Sequence, residues 1–561
     1  MKKVCSRVFQ ELMPSRSKSL CKAAKRRRNK EQGAVRHWLG SIDKRGILLL
    51  PDAQFTPPYL LFQKYYRLQN IVPQDTFKAF LHKLYQPLPV TFRMTLQATQ
   101  EFTIRGKELL KRVAAIHLAP MHAFQLNIDK HALRAARPGS VEFSIRSWLI
   151  EGTEVGYLVR QELASMLPPY LLQPSSSSRV IDLCASPGSK TTQAVDLMRR
   201  ASLRLNDMND IIPIHGLVVA NDSDHVRSFT LAKRCSGLKE AAGSVLIPCH
   251  QAQRFPNISE INAKMSDGFT HIICDVPCSG DGTTRKHPEV FGRWEPRMAL
   301  AHHSMQLSIA MRGAALLSIG GTMVYSTCSF NPIENEAVVH ELICRCGGAL
   351  VIENVRTHLK PLMNTSEGLL TWRVAGAALE PYADCASARA ATSCLEYERN
   401  LFVQSMWPPK VEADGRRIGL NLCARLHPHE SDTGGFFVAL LRKVAPLPRE
   451  AKPRDQVSWE ASSRELDTTS SPLRREFLTA LQPINRALIS QLGLRHNASS
   501  QLFVKSESAR TVFYVSPLAL DVSRHNRLRI VRAGAAVFRR LRSREASWSQ
   551  TPEGQFLGIQ K

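Results

Sequence analysis

Short apolar runs alternate with helical stretches between residue 179 and about residue 444, and this alternation restricts the possible fold more than any other feature of the chain. The runs cover residues 179–185, 216–221, 243–249, 271–276 and 321–326, and a closing run covers 435–441. Such alternation is typical of a parallel sheet covered by helices on both faces. Residues 174–444 are therefore predicted to form an α/β domain with a doubly wound, Rossmann-like sheet.

Two of these runs end in a segment that carries a cysteine. Asp275-Val-Pro-Cys278 closes one run, and Thr327-Cys328 follows another. Because open α/β sheets bind ligands in the crevice at the carboxyl ends of their strands, both thiols are expected to point into one crevice. Two thiols there indicate covalent chemistry. The usual role of a cysteine, a buried structural thiol, is the interpretation for Cys235, Cys274 and Cys344.

A tight turn, Ser186-Pro-Gly188, follows the first run and precedes a helical stretch. Glycine allows a ligand to approach the backbone closely at the amino end of a helix. Any strand-to-helix connection needs a turn. The loop alone is therefore as consistent with a purely structural turn as with a ligand site. Asp222 strengthens the prediction, because an acid at the tip of the second strand is placed to bind ribose hydroxyls. A helix-start role is the alternative for Asp222.

The segments 180–190, 271–283 and 324–332 together resemble the Sun family of RNA cytosine-5 methyltransferases, most closely its multisite tRNA branch. Segments 86–93 and 160–168, and the closing segment 427–439, also resemble this branch. The resemblance implies S-adenosyl-L-methionine as cofactor. The cofactor-binding residues that it implies are Cys184, Ala185, Ser186, Pro187, Gly188, Ser189, Lys190, Asp222, Gln251 and Asp275. Gln251 departs from the family, which commonly has an acid there, but its side-chain carbonyl can accept the same hydrogen bond.

The resemblance also assigns chemical roles that the residue pattern alone leaves open. Cys328 is implied to attack carbon 6 of cytosine, and Cys278 to assist release of the product. Asp275 is expected to hold the base, with a loop cap as the alternative. Lys190 is expected to hydrogen-bond the base or lower the pKa of a thiol, and a side chain that only extends its charge to solvent is the alternative. Glu334 or Glu336 is expected to favour the start of the helix that follows, which is a structural role.

The charge of the chain indicates a nucleic-acid partner. Lysine and arginine number 75 against 48 aspartate and glutamate residues, which gives a net charge of +27. A membrane surface is less favoured, since no run approaches the roughly 18 apolar residues of a spanning helix. The predicted partner is tRNA, bound by a monomer, and Thr284-Arg-Lys286 is expected to contact phosphates. Ribosomal RNA is the alternative substrate, and a non-catalytic RNA-binding protein is the alternative class of function.

The thirteen cysteines have no repeated spacing, which favours a reducing compartment over a disulfide framework. Cys344 and Cys346 lack a second ligand pair nearby, so no metal site is expected. Residues 1–50 are predicted to be a weakly ordered basic leader. Its run from Lys25 to Arg28 favours a nuclear location, with the nucleolus possible and the mitochondrion as the alternative; an RNA-binding arm is the other interpretation of the leader.

The remaining segments are predicted to contact RNA or to connect domains. Residues 51–173 are expected to be an α-rich RNA-binding region whose helical core contains Phe62, Tyr65, Tyr66, Phe77, Phe80 and Leu84. Residues 445–470 are predicted to be a linker, and 541–561 a disordered tail. Residues 471–540 are predicted to form an α+β RNA-binding module, with a helix at 477–494 and strands at 501–504, 511–515 and 527–531. Deleting residues 471–561 is expected to weaken RNA binding and flatten its salt dependence.

The predicted C-terminal module carries its positive charge and aromatic rings within a short segment. These residues are Phe513, Tyr514, Arg524, Arg527, Arg529, Arg532, Phe538, Arg539, Arg540 and Arg542. Phosphate contacts from the cations and stacking of bases on the rings are expected there. A solvated charged face is the alternative interpretation.

Overall fold

The structure is a computed structural model that describes residues 57–203, 214–257, 265, 267–448, 482–483, 502–504, 511–523, 528–540 and 548–551. The predictions for the leader 1–50 and for most of the linker 445–470 lie outside the described residues.

The N-terminal region contains a four-stranded antiparallel sheet as well as helices. Its helices are α1 (Pro57–Gln69), α2 (Phe77–Leu84), α3 (Gln100–Arg112), α4 (Lys130–Ala135), α5 (Val141–Val155) and α6 (Leu163–Leu172). Its strands are β1 (Pro89–Met94), β2 (Ile116–Leu118), β3 (Ala123–Asp129) and β4 (Leu158–Arg160), in the order β2-β3-β1-β4. The prediction of an α-rich region missed this sheet, because β2 and β4 are too short to show a period and β1 and β3 alternate between buried and exposed residues only in part.

The predicted helical core of this region is confirmed, but it packs against the neighbouring domain. Phe62, Tyr65 and Tyr66 of α1 and Phe80 of α2 are fully buried. They form one aromatic cluster with Phe291, Trp294 and Phe330, which follow the two cysteine segments in the sequence. Ring centroids lie 5.1 Å apart for both Phe62–Trp294 and Phe80–Phe330. The N-terminal helices are therefore attached to the part of the molecule that carries the cysteines.

The central domain is built on a mixed α/β sheet, and the predicted fold class is confirmed. Its strands are β5 (Arg179–Asp182), β6 (Leu217–Ala220), β7 (Val245–Pro248), β8 (Phe269–Asp275), β9 (Leu317–Thr327), β10 (Leu350–Glu353), β11 (Ser366–Glu367), β12 (Ala424–Leu426) and β13 (Phe436–Lys443). Its helices are α7 (Ser189–Leu203), α8 (His225–Cys235), α9 (Arg297–Leu316), α10 (Glu336–Cys346), α11 (Val355–Leu359), α12 (Cys385–Ala390), α13 (Glu396–Arg399), α14 (Glu412–Ile418) and α15 (Pro428–Ser431).

The strand order places the carboxyl ends of five parallel strands at one edge. Strands β7, β6, β5, β8 and β9 are neighbours in this order, and all four pairings between them are parallel. The chain switches direction at β5, from which β6 and β7 extend on one side and β8 and β9 on the other. Such a switch point is where open α/β sheets bind ligands. The closing strand β13 was predicted as part of a parallel sheet, but it runs antiparallel to β9.

The C-terminal segment forms a second sheet and also extends the first. Its elements are β14 (Gln482–Pro483), β15 (Leu502–Val504), β16 (Thr511–Tyr514), α16 (Pro517–Ser523), β17 (Ile530–Ala533), β18 (Ala535–Arg540) and β19 (Trp548–Gln550). Strands β14-β15-β16-β18-β19 form the second sheet. The predicted strands at 501–504, 511–515 and 527–531 are confirmed with shifted ends.

Two predictions for the C-terminal segment differ from the structure. The helix predicted at 477–494 is wrong for Gln482 and Pro483, which pair with β15, and its other residues lie outside the described ones. The disordered tail is wrong for Trp548–Gln550, which pairs with β18. In both places the strand is too short for a sequence period and is specified by its partner strand.

Strand β17 makes the C-terminal segment part of the central domain. It pairs antiparallel with β7 and so covers the edge of the central sheet. The backbone N–H of Cys249 donates to the Arg529 carbonyl at 2.9 Å, and the N–H of Arg529 donates to Nε2 of His250 at 2.9 Å. Phe538, one of the aromatic rings expected to stack on bases, is fully buried instead. The segment is therefore joined to the central domain through strand pairing and buried side chains, and its predicted binding of RNA stays a prediction.

Deleting residues 471–561 is expected to unfold or strongly destabilise the central domain. The deletion removes the buried side chains of Ile530, Val531, Val537 and Phe538. Each contributes roughly 1.5–3 kcal/mol, and their sum is comparable with the net stability of a domain, about 5–15 kcal/mol. We expect the midpoint of thermal unfolding to fall by at least about 10 °C. Deletion of residues 552–561 is the control, and equal midpoints for the two truncations would contradict the expectation.

His250 is expected to make folding less favourable at acidic pH. Burial, together with the charge of Arg529, lowers the pKa of His250 to about 3, well below its ordinary value near 6.5. Below pH 6.5 the unfolded chain takes up a proton that the folded chain does not, so stability decreases as the pH falls from 6.5 toward 3. The decrease is at most about 1.4 kcal/mol per pH unit for this residue. His250→Gln keeps an acceptor for the Arg529 N–H without titrating, so urea unfolding between pH 7.5 and 4.5 should show a shallower pH dependence than in the unmodified chain. Identical slopes would contradict this account.

Candidate active site

The two cysteine segments meet because their strands are neighbours in register. Strands β8 and β9 are parallel, and Asp275 at the end of β8 pairs with Ser326 near the end of β9. Sγ of Cys278 consequently lies 3.3 Å from Sγ of Cys328. The hydrogen bond between the two thiols, together with burial, raises the pKa of Cys278 well above its ordinary range. Cys278 is therefore held in the thiol form at neutral pH.

An ion pair lies beside the two thiols. Nζ of Lys190, at the start of α7, is 2.6 Å from Oδ2 of Asp275. Oδ1 of the same carboxylate accepts a hydrogen bond from Ser326 Oγ at 2.7 Å, and Lys190 Nζ also contacts Ser165 Oγ at 3.3 Å. Burial lowers the pKa of Lys190, but Asp275 and the neighbouring Asp182 and Cys328 raise it, and the net pKa lies above its ordinary value. Lys190 therefore remains positively charged. Sequence reasoning did not identify Ser165 or Ser326.

Asp281 connects both cysteine segments to helix α1. Its carboxylate is fully buried, three residues after Cys278. Oδ1 accepts the backbone N–H of Phe330 at 2.8 Å, and Oδ2 accepts the indole N–H of Trp294 at 3.0 Å and the hydroxyl of Tyr66. Burial raises the pKa of Asp281. One carboxylate thus satisfies donors from three segments that are far apart in the sequence.

A glycine allows the cysteine loops and the closing segment to stack. The N–H of Gly282 donates to the Cys328 carbonyl at 2.9 Å, and the N–H of Gly435 donates to the Gly282 carbonyl at 2.8 Å. A Cβ on Gly282 would lie 2.5 Å from the Gly435 oxygen and 2.8 Å from the Cys328 oxygen. Any side chain at residue 282 would therefore separate the loops.

Glu334 or Glu336 was predicted to favour the start of α10. Glu336 lies in the first turn of that helix, and the two carboxylates have different partners. Glu334 is fully buried; its Oε1 accepts the Ser279 N–H at 2.8 Å and the Gln306 amide at 3.2 Å, and its Oε2 accepts the Ser279 hydroxyl at 2.5 Å. Glu336 pairs with Arg425, whose Nε lies 2.6 Å from Oε1. Glu334 therefore fixes the residue that follows Cys278. This was not visible in the sequence, because its partners lie in the loop after Cys278 and on helix α9.

The predicted cofactor loop and Asp222 are neighbours at the edge of the sheet. The N–H of Ser186 donates to Asp222 Oδ2 at 3.1 Å, and the N–H of Asp224 donates to Oδ1 at 3.0 Å. Gly188 has a φ of +100°, which favours glycine, and a Cβ there would lie 2.8 Å from Leu231 Cδ1. The N-cap of α8 is Asp224, so the helix-start alternative for Asp222 is wrong.

Three further residues at this edge differ in what they offer a ligand. Asp182, at the end of β5, was not singled out from the sequence; burial raises its pKa to about 7. Its Oδ2 accepts the Thr191 hydroxyl at 2.7 Å, while Oδ1 is buried without a hydrogen-bond partner among the described residues. Gln251 is exposed and follows β7 at the same edge. Burial raises the pKa of Cys184 well above its ordinary range, so its thiol is not a second nucleophile.

Arg285 does not have the role predicted for it. This side chain was expected to contact phosphates, but it is buried and fully engaged within the protein. It donates to the carbonyls of Gln86, Pro87 and Thr433 at 2.9, 3.0 and 2.8 Å, and to Asp432 at 2.7 Å. Thr284 is buried as well, which leaves only Lys286 exposed in that segment.

The described part of the chain contains no group of three or more His, Cys, Asp or Glu side chains that could hold a metal ion. Among the helices of the described residues, none is long and apolar enough to cross a membrane.

Comparison with known proteins supports the resemblance that the sequence indicates. Residues 169–361 match the family described as 16S rRNA methyltransferase RsmB/F. A multisite-specific tRNA:(cytosine-C(5))-methyltransferase of Schizosaccharomyces pombe is 33% identical over 74% of this chain and 63% of its own length. A tRNA (cytosine(34)-C(5))-methyltransferase of Drosophila melanogaster is 31% identical over 81% of this chain and 62% of its own length. The resemblance to the Sun family is confirmed.

The chain spans about three fifths of the length of the curated relatives it matches. A solved structure described as a methyltransferase homolog protein from Pyrococcus horikoshii is 21% identical, with a TM-score of 0.40 over 69% of this chain and 100% of that one.

Replacing Glu334 by Ala is expected to destabilise the fold by about 3 kcal/mol, because the buried donors of Ser279 and Gln306 lose their acceptor, at roughly 1–3 kcal/mol each. Glu341→Ala is the matched control on α10, where a partly exposed pair with Arg345 contributes only about 0.5 kcal/mol. Urea unfolding of the two variants measures the difference. Equal losses would contradict the role assigned to Glu334.

Proposed function

We propose that this chain, whose residues 169–361 match an RNA methyltransferase family, methylates carbon 5 of cytosine in tRNA through a covalent bond between Cys328 and the base. The observation that carries the proposal is the pair of thiols 3.3 Å apart beside the Lys190–Asp275 ion pair. Carbon 5 of cytosine is too weak a nucleophile to accept a methyl group unaided. A thiol that adds to the ring removes this difficulty, and a second thiol beside it has a role when the first must leave.

The edge formed by β5 and β6 fits S-adenosyl-L-methionine. The Ser186-Pro-Gly188 turn lies at the start of a helix, and the buried carboxylate of Asp222 lies beside it, which suits a ribose. The buried Asp182 Oδ1, which has no partner among the described residues, is an acceptor available to a donor on a ligand. When bound, the cofactor supplies an electrophilic methyl group for which carbon 5 is the acceptor. Gln251 is proposed as a further contact.

In the first chemical step, the Cys328 thiol gives its proton to water and its sulfur adds to the cytosine ring. A bond forms between Sγ and carbon 6, and the electron pair of the carbon 5–carbon 6 double bond moves toward carbon 5 and the ring. Asp275 has hydrogen-bonding capacity for the amino group of the base, and its position is fixed by Lys190 and Ser326. The positive charge of Lys190 stabilises negative charge that develops on the ring.

In the last step, the bond between Cys328 and carbon 6 breaks. The proton on carbon 5 passes to a water molecule, the electrons of the broken carbon–hydrogen bond restore the double bond between carbon 5 and carbon 6, and Sγ departs with the electrons of its bond to carbon 6. Cys278 holds its proton 3.3 Å from Cys328, so it can donate a hydrogen bond to the departing sulfur. Release is therefore the step in which Cys278 acts.

The proposed substrate is tRNA, because both curated relatives named above are tRNA methyltransferases and the chain has a net charge of +27. Ribosomal RNA is the second candidate, since the matching family is described as 16S rRNA methyltransferase. Bisulfite sequencing of tRNA and ribosomal RNA from cells with and without the protein distinguishes the two. The base must leave the stack in either RNA.

The proposed location is the nucleus, with the nucleolus as a possible part of it, and the mitochondrion is the alternative. The supporting feature is the basic run from Lys25 to Arg28. Imaging of the full chain and of a variant with these four residues changed to alanine tests this proposal.

The two cysteine variants are expected to fail in different ways. Cys328→Ala should form neither adduct nor methylated RNA, because no thiol reaches carbon 6. Cys278→Ala should transfer methyl groups but release the product slowly, which leaves RNA attached to protein as a shifted band on a denaturing gel. The double variant should show no adduct, because attack precedes release. Cys344→Ala, at an exposed cysteine, is the control.

The opposite pattern, with RNA trapped by Cys328→Ala alone, would exchange the two roles. Wild-type methylation by both single variants would show that the covalent mechanism is wrong.

A further inference from the structure

A pocket of about 330 Å³ lies in the N-terminal region, where α4, α5 and β4 meet. Four cationic side chains line it, namely Lys130, Arg134, Arg146 and Arg160. The other lining residues, Leu133, Leu149 and Ile150, are apolar. We call this site the basic pocket. It is separate from the crevice that holds the cysteines.

The four cations have no acidic counterpart. No carboxylate lines the basic pocket, and among the described residues none of its cations forms an ion pair. Partial burial, together with the charge of Arg134, lowers the pKa of Arg160, so these two cations repel each other. Two other arginines of the region do have a carboxylate partner, since Arg93 pairs with Asp196 and Arg105 with Glu151. Repulsion that the fold leaves uncompensated is typical of a site that binds an anion.

We propose that the basic pocket binds a phosphate group of the RNA backbone, at a distance from the base that reacts. This inference rests on the proposed function and deepens it. Every polar side chain at the pocket is a donor, and guanidinium groups match phosphate oxygens with two parallel hydrogen bonds. Leu133 and Leu149 are buried, and their apolar wall strengthens the field of the cations. Arg146 is already oriented, since its Nη1 donates to the Arg134 carbonyl at 3.1 Å.

The chain that leads from the basic pocket to the active site is short and held by hydrogen bonds. Gln161, next to Arg160, donates to the Ser165 carbonyl at 3.0 Å and to Gln193 on α7 at 2.8 Å. Ser165 in turn contacts Lys190. Five residues of backbone span at most about 18 Å, so RNA with a base in the crevice can extend over the pocket.

The test is a double variant, Arg134→Gln with Arg160→Gln. The control is Lys107→Gln with Arg112→Gln, which removes two exposed cations from α3 outside the pocket. The affinity for an in vitro transcribed tRNA is measured over a range of KCl concentrations in the full chain. The slope of log affinity against log salt should become shallower by about one to two in the pocket variant, since each phosphate contact contributes roughly 0.7–0.9. The slope of the control should stay within about 0.5 of the wild-type value.

Methyl transfer is measured on the same proteins. At saturating tRNA, kcat of the pocket variant should stay within twofold of wild type, while KM rises several-fold, because the pocket contacts RNA away from the reacting base. Equal salt slopes for the pocket variant and the control would overturn the proposal, provided that both melt at the wild-type temperature. A pocket variant that melts lower is replaced by the two single variants, Arg134→Gln and Arg160→Gln. Each should make the salt slope shallower by roughly 0.7–0.9, and wild-type slopes in both would overturn the proposal.

Two further measurements distinguish RNA from other anionic ligands that the basic pocket could bind. If inorganic phosphate raises the melting temperature of wild type but not of the pocket variant, and the RNA salt slopes are equal, the site takes a free anion and the proposal is wrong. If the pocket variant loses affinity for polyglutamate but keeps the wild-type affinity for tRNA, the basic pocket binds an acidic protein and the proposal is again wrong. If the wild-type protein shows no methyl transfer but its RNA binding depends on the basic pocket, the result would support the pocket and contradict the proposed function.

Discussion

The buried carboxylate of Asp281 is the interaction on which the rest of the site depends. It accepts hydrogen bonds from the N–H of Phe330, from the indole of Trp294 and from the hydroxyl of Tyr66. A carboxylate is costly to bury unless several donors satisfy it, so all of these segments must be in place together. Because Asp281 follows one cysteine and Phe330 the other, the same contacts that satisfy the carboxylate also fix the distance between the two thiols.

Contacts between the loops thus complete the placement of the two thiols, which the register of the sheet determines only in part. The parallel register of β8 and β9 places Asp275 opposite Ser326, which brings the two segments to one edge. Register alone would leave the loops beyond the strands free to move apart. Two contacts restrain the loops. Glu334 accepts hydrogen bonds from Ser279, and the backbone N–H of Gly282 donates to the Cys328 carbonyl. Precise placement of reactive groups requires such supporting contacts.

The N-terminal and C-terminal segments share buried contacts and hydrogen bonds with the central domain. Helix α1 supplies rings to the cluster around Trp294, and β17 covers the edge of β7. The contact of His250 with the backbone of Arg529 ties the C-terminal segment to the edge where a cofactor is proposed to bind. Domain boundaries that follow composition therefore divide a structure whose burial and hydrogen bonding are shared.

Local pattern by itself determined the central strands, the helical aromatic core of α1 and α2, and the chemical groups that end β8 and β9. These features depend on side-chain period and on turn chemistry, which neighbouring residues carry. Only the tertiary structure decided that β13 runs antiparallel, that β17 joins the central sheet, and that Arg285 binds backbone instead of phosphate. The hydrogen-bond partners of Asp281 and Glu334 were likewise decided only by the tertiary structure. Tyr66 and Asp281 are 215 residues apart, and no sequence period reports which buried groups meet across such a distance.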